Sequence, residues 1–259
     1  MGSDIRAAFF DIDGTLTSFV THVVPQSTID ALHALQENGV KVFICSGRAP
    51  SYMGVVLDTI PVRFDGIVGL NGQYCTTRDG LSYQHPIDQA DVEIITSWLE
   101  EHTDVIANYA ESDYGYFNRT NATLESTWNS LGKTAPKIDI CDPLQRIGDH
   151  RTFQISPYVD EATEAEIAGM CGNVRGVRWH PAFTDLIPAD GGKAAGMRVC
   201  LSISAGRRTT RSRSATAATM LTCCGSRESA WLWATRPTSR SRWPITSPIM
   251  SMTPASRTR

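Results

Sequence analysis

No apolar run in the 259 residues approaches the ~20 needed for a membrane-spanning helix. The opening Met1-Gly2-Ser3-Asp4 lacks the charged-then-apolar pattern of a signal peptide. The seven cysteines, at 45, 75, 141, 171, 200, 223 and 224, are odd in number and scattered. No Cys-x-x-Cys pair occurs, so neither a zinc site nor a disulfide framework is supported. A cytoplasmic protein with reduced thiols is expected. From residue 198 onward the chain also has no Lys, Asp, Phe or Tyr, and a single acid, Glu228, stands against 11 Arg. Residues 1–197 carry 13 Lys and Arg against 26 Asp and Glu, so the net charge of −3 conceals a change of character near Arg198.

What is present centres on Ala7-Ala8-Phe9-Phe10-Asp11-Ile12-Asp13-Gly14-Thr15-Leu16. A short apolar run closed by a Gly-containing turn reads as a buried strand. It delivers two carboxylates at its carboxyl end, where open α/β sheets place their ligands. Like charges two residues apart repel, and a divalent cation or a phosphate-binding cluster is the usual setting. A solvated Asp-Gly turn is the plain alternative. A calcium loop is excluded, because Thr15, Leu16 and His22 stand where its third acid, Gly and distal Glu belong.

Downstream, Pro25-Gln26-Ser27 leads into an amphipathic helix over Thr28 to Asn38, ended by Gly39. Val40 to Cys45 reads as a second buried strand, with Ser46-Gly47-Arg48 at its end. A helix over Pro50 to Leu57 and a strand over Ile67 to Leu70, closed by Asn71-Gly72, come next. This alternation predicts right-handed parallel crossovers and a doubly wound, Rossmann-like α/β sheet. A hydroxyl, a flexible Gly amide and an Arg at one strand end make a donor-rich cup for phosphate oxygens; taken singly, the triplet also suits a turn with a surface Arg.

Tyr74 to Tyr83 reads as a hairpin around Asp79-Gly80. Helices are expected over Asp91 to His102, Asn121 to Leu131 and Glu161 to Met170. Strands are expected over Val105 to Tyr109, Tyr114 to Asn118, Arg151 to Ser156 and Val174 to Trp179. This is a second, α+β unit inserted into the first. The expected division is residues 1–82, first part of the core; 83–183, the insertion; 184–198, the return to the core; and 199–259, an aberrant tail. The return carries Lys193, one turn into a helix, where it can neutralise a phosphate.

Asp11-x-Asp13-Gly14-Thr15, Ser46-Gly47-Arg48, Asn71-Gly72 and Gly191-Gly192-Lys193 with Gly196 stand in one order. Together they resemble the haloacid dehalogenase-like hydrolases, specifically the Cof-type phosphatases with an inserted α/β cap of type IIB, over residues ~5–197. The resemblance implies a phosphatase for small phosphorylated metabolites, sugar phosphates or similar. Asp11 would be the nucleophile, giving an aspartyl-phosphate, and Asp13 the acid and base. Ser46, Gly47, Arg48, Asn71 and Lys193 would hold the phosphate. Mg²⁺ would sit on Asp11 and Asp13 with an acid from a fourth motif, Gly-Asp-x-x-Asn-Asp.

That fourth motif is absent from the chain as written. Joining the third base of each codon to the first two of the next recovers it: Ser214-Ala215-Thr216-Ala217-Ala218-Thr219-Met220 permits Gly-Asp-Gly-Gly-Asn-Asp at every step. Ser229 to Thr238 permits Gly-Val-Ala-Met-Gly-Asn-Ala-Thr-Asp, and the break falls at about Arg198 to Leu201. The tail is therefore read as a frameshift product, expected to be disordered and to leave the chain with little or no activity. Three other readings stay open: an inactive remnant, a phosphomutase using the same Asp pair, and a nucleic-acid binder through the basic tail.

Overall fold

The computed structural model describes residues 5–18, 21–130, 135–206 and 219–223. It contains two sheets. The first begins with β1 (Ile5–Phe10), β2 (Lys41–Cys45) and β3 (Gly66–Gly69), linked through α1 (Gln26–Glu37) and α2 (Pro50–Leu57). The β-hairpin of β4 (Tyr74–Thr77) and β5 (Ser82–Gln84) closes one edge antiparallel. Alternation along the strands sorts the side chains to two faces. Val42 and Ile44 pack with Ile29, Leu32, Met53 and Val56 of α1 and α2. Phe43 and Cys45 turn to the other face, where Phe43 stacks on Phe9 at 4.7 Å and meets Met197 and Cys200. The sheet is thus covered by helices on both sides, as parallel strands require.

The second unit comes next in the chain, with α3 (Gln89–Glu101), β6 (Ala107–Ala110), β7 (Gly115–Phe117), α4 (Ala122–Ser130), β8 (Gln154–Pro157), α5 (Glu161–Met170), β9 (Val174–His180) and β10 (Phe183–Pro188). Its five strands are antiparallel, in the order β7-β6-β8-β10-β9. Tyr109, Ile155 and Leu186 pack on Val92, Ile95 and Ile167 of α3 and α5. The opposite face carries Asn108, Gln154, Ser156 and Asp185, all buried, and it is turned to the first sheet. Ala49 and Leu70 of the first unit form one apolar cluster with Ala110 and Phe153 of the second. The Tyr52 hydroxyl accepts a hydrogen bond from Asn108 Nδ2 at 3.1 Å.

One expected boundary is corrected. Residues 184–188 do not begin the return to the first sheet; β10 is an interior strand of the second, between β8 and β9. A strand with one helix-packed face and one buried polar face has the same pattern in either sheet, so its partner is set by tertiary pairing. The return is made after Pro188 by α6 (Lys193–Gly206), which packs on β3 and β4. Most of the expected disordered tail lies outside the described residues. Within it, β11 (Thr219–Cys223) pairs parallel with β1, giving the first sheet the order β11-β1-β2-β3-β4-β5. Among the described residues no helix is long and apolar enough to cross a membrane.

Candidate active site

The first motif folds as a tight loop wound around one carbonyl. Leu16 N, Thr17 N and Thr17 Oγ1 all donate to Ile12 O, at 3.1, 2.9 and 3.0 Å. Gly14 takes the left-handed conformation, φ +72°, that turns the chain back. Asp11 is left at the tip of β1, almost wholly buried. Its Oδ1 accepts from Ile12 N at 2.8 Å and its Oδ2 from Lys193 Nζ at 2.6 Å.

Lys193 is the first residue of α6, an unfavourable place for a cation because the helix dipole is positive there. The contact with Asp11 offsets that cost, and it requires α6 to come close to the turn after β3. Two glycines permit the approach. A Cβ on Gly72 would overlap Gly192 O, and a Cβ on Gly196 would lie 2.7 Å from both Gly72 Cα and Val68 Cγ1. In the sequence these glycines read as turn or motif residues; their function as packing contacts is visible only in three dimensions.

Asp13 is held by Arg48 in a bidentate pair, Nε to Oδ2 at 2.7 Å and Nη2 to Oδ1 at 2.8 Å. Ser46 is buried, and its Oγ accepts from Arg48 N at 3.2 Å. The turn at Ser46-Gly47-Arg48 is clasped by the turn after β3: Leu70 N donates to Arg48 O at 3.0 Å and Asn71 N to Ser46 O at 3.2 Å. Asp11, Asp13, Ser46, Gly47, Arg48 and Lys193 therefore converge. Asn71 joins them by its backbone, while its amide, expected as a phosphate ligand, is engaged elsewhere. Nδ2 donates instead to Gln154 Oε1 at 3.0 Å and Asp185 Oδ2 at 2.9 Å, in the second sheet. Sequence reasoning misses Gln154 and Asp185; a carboxylate inside an apolar strand is the signal that could have found the second.

The magnesium expectation is tested by the donor set. Both carboxylates are already matched by cations, Asp11 by Lys193 and Asp13 by Arg48. No group of three His, Cys, Asp or Glu able to hold a metal occurs among the described residues. The nearby Asp185 is fully engaged elsewhere, accepting from Asn71, Ser156 and Trp179. A hard dication bound by only one or two carboxylates depends on substrate oxygens and uncompensated negative charge, so these residues do not by themselves fit it.

A model of the haloacid dehalogenase-like hydrolase family matches residues 8–205. The chain belongs to this family. It is 26% identical over 195 residues to a provisionally named phosphatase, YkrA, of Bacillus subtilis (strain 168), covering 75% of this chain and 73% of that protein. Among solved structures it is similar to the phosphatase BT1666 of Bacteroides thetaiotaomicron, with 30% identity, a TM-score of 0.64, and coverage of 80% of this chain and 74% of that one. It is also similar to the subclass IIB sugar phosphatase BT4131, with 28% identity, a TM-score of 0.66, and coverage of 78% and 76%. The two-sheet arrangement, with the antiparallel sheet inserted between the Asn71-Gly72 turn and Lys193, is that of a type IIB cap on a haloacid dehalogenase-like core. The first sheet with its helices is thus the core, and the second unit is the cap.

Proposed function

We propose that this protein is built as a cytoplasmic phosphatase for small phosphorylated metabolites, sugar phosphates or similar, working through an aspartyl-phosphate on Asp11. The observation that carries the reading is the Lys193–Asp11 contact at the tip of β1. A carboxylate whose oxygens are set by one amide and one ammonium is oriented rather than solvated, and the same ammonium is available to a phosphoryl oxygen. The phosphatase activities for which the relatives are named support the reaction class.

In this scheme an Asp11 oxygen attacks phosphorus while the bond to the ester oxygen breaks. The leaving oxygen takes a proton from Asp13. Water then attacks the acyl phosphate, Asp13 takes its proton, and inorganic phosphate departs with Asp11 regenerated. Lys193 and Ser46 hold phosphoryl oxygens throughout. Arg48, which grips Asp13 when no phosphate is bound, offers the second cationic face of the cup. The cap roofs the site, excludes bulk water and receives the leaving group.

Magnesium dependence is proposed for the frame-restored chain only, because the acid it requires lies in the shifted motif. The test compares the chain as written with a frame-restored version, using p-nitrophenyl phosphate with and without Mg²⁺. The chain as written is expected to show no turnover above buffer. The restored chain should turn over, and Asp11→Asn in it should lose at least about a thousandfold. An Asp11→Asn protein as fast as its parent would overturn the mechanism. Mg²⁺-dependent turnover by the chain as written would overturn the reading of the tail.

A further inference from the structure

The strongest polar feature outside the catalytic pair is a buried network centred on Asp185. This residue is 2% exposed, on the face of β10 turned to the core. Its Oδ1 accepts from Ser156 Oγ at 2.8 Å; its Oδ2 accepts from Trp179 Nε1 at 3.1 Å and from Asn71 Nδ2 at 2.9 Å. Gln154 closes the ring, accepting from the same Asn71 amide and donating Nε2 to Ser156 Oγ at 3.2 Å. Four of the five residues belong to the cap, and the fifth, Asn71, belongs to the core.

Asn71 is also the residue that shapes the phosphate cup. Its backbone N–H holds Ser46 O, and its side-chain amide lies so close to Gly47 that a Cβ there would stand 3.1 Å from Asn71 Oδ1. It does this from an uncommon backbone state. Leu70 and Asn71 are consecutive non-glycine residues with positive φ, +50° and +53°. Such a residue persists only where its surroundings hold it. The pair of acceptors supplied by the cap holds the Asn71 side chain. Apolar residues would satisfy packing at this depth with no burial cost. A carboxylate surrounded by three neutral donors is instead a directional device, and burial raises its pKa against the opposing hydrogen bonds.

We infer that Asp185 is a positioning residue: by fixing the Asn71 amide it sets the Ser46-Gly47-Arg48 turn in its phosphate-accepting shape and seats the cap over it. The inference rests on the reading of Ser46 and Lys193 as a phosphate site. Phosphate affinity is thereby coupled to a cap residue that touches no phosphate.

The test measures inorganic phosphate binding to the full chain by calorimetry, beside melting temperature. Asp185→Asn keeps the shape but replaces one of the two acceptor oxygens with an NH2, so either Ser156 or the Asn71 and Trp179 pair loses its acceptor, and affinity should fall about tenfold or more. Asp91→Asn is the control for plain destabilisation. Asp91 accepts from Gly172 N and Asn173 N wholly within the cap, so melting should fall with phosphate affinity unchanged. Phosphate affinity within twofold of the parent in Asp185→Asn, or an equal loss in Asp91→Asn, would each overturn the inference. Should Asp185→Asn not fold, Ser156→Ala removes a single donor and should weaken phosphate a few-fold; unchanged affinity there is equally fatal. A parent that binds no phosphate refutes the site itself, and the inference with it.

Discussion

Arg48 reaches back across the mouth of the site to grip both oxygens of Asp13, with contacts of 2.7 and 2.8 Å. The pair spans 35 residues of sequence and joins the ends of β1 and β2, two neighbouring parallel strands. Both side chains are mostly shielded, 11% and 19% exposed. The fork geometry matters as much as the charge. Lys could supply the cation but not two parallel N–H donors. Arg48→Lys is therefore expected to cost about 2 kcal/mol of stability and to weaken inorganic phosphate binding. Chemical denaturation and calorimetry check both. A Lys variant equal to the parent would show that the pair is electrostatic alone.

The close approach of α6 to the turn after β3 predicts opposite outcomes at two glycines. At Gly196 a methyl group meets Gly72 Cα, Val68 Cγ1 and Cys75 Sγ at 2.7–3.0 Å. Gly196→Ala should cost about 1–3 kcal/mol by overpacking and should shift Lys193 away from Asp11, lowering phosphate affinity too. At Gly169, in the last turn of α5, nothing lies within 4 Å of the added methyl. Gly169→Ala should stabilise by about 0.5 kcal/mol through helix propensity. Thermal melts of the two variants read the difference directly.

Tyr52 gives the core–cap contact a pH signature. Burial pushes its phenol up from 10.0 to about 12. Above pH 10 the unfolded chain loses this proton while the folded chain keeps it. The contribution to stability is thus full below pH 10 and is lost as pH rises toward about 12. Tyr52→Phe should flatten the decline of the urea midpoint over that window. At neutral pH it should cost about 1 kcal/mol, since Asn108 Nδ2 still donates to Tyr116 O.

The donor set makes a prediction about metal. With Asp11 and Asp13 each matched by a cation, added Mg²⁺ should leave the melting temperature of the chain as written unchanged. The frame-restored chain should be stabilised by RT ln(1 + [L]/Kd), an effect reversed by EDTA. A magnesium-dependent shift in the chain as written would mean that the described donors suffice.

Much of the fold and the site is legible in the sequence. α2 and α5 fall at Pro50–Leu57 and Glu161–Met170, the limits expected from the sequence. Asp11, Asp13, Ser46, Gly47, Arg48 and Lys193 are brought together because each ends a parallel strand or starts the returning helix, and parallel strands share one end. What periodicity cannot give is partnership. Thr184 to Pro188 reads as a strand in any frame of reference, yet only pairing with β8 and β9 assigns it to the cap. Asn71 sits in the expected turn, but which partners its amide chooses depends on a carboxylate 114 residues away. The packing of Gly196 against Gly72 is likewise long-range, and a glycine carries no side chain by which sequence could announce it.

β1 is an interior strand only because five residues, Thr219–Cys223, lie along its outer side. Were they to leave, the peptide groups of Ile5–Phe10 would face solvent as an unguarded border, flanked by Ala7, Ala8 and Phe9. Such a border invites another copy of the chain to pair with it. The colloidal behaviour of the whole molecule thus hangs on five residues, and a chain shortened at residue 206 should self-associate.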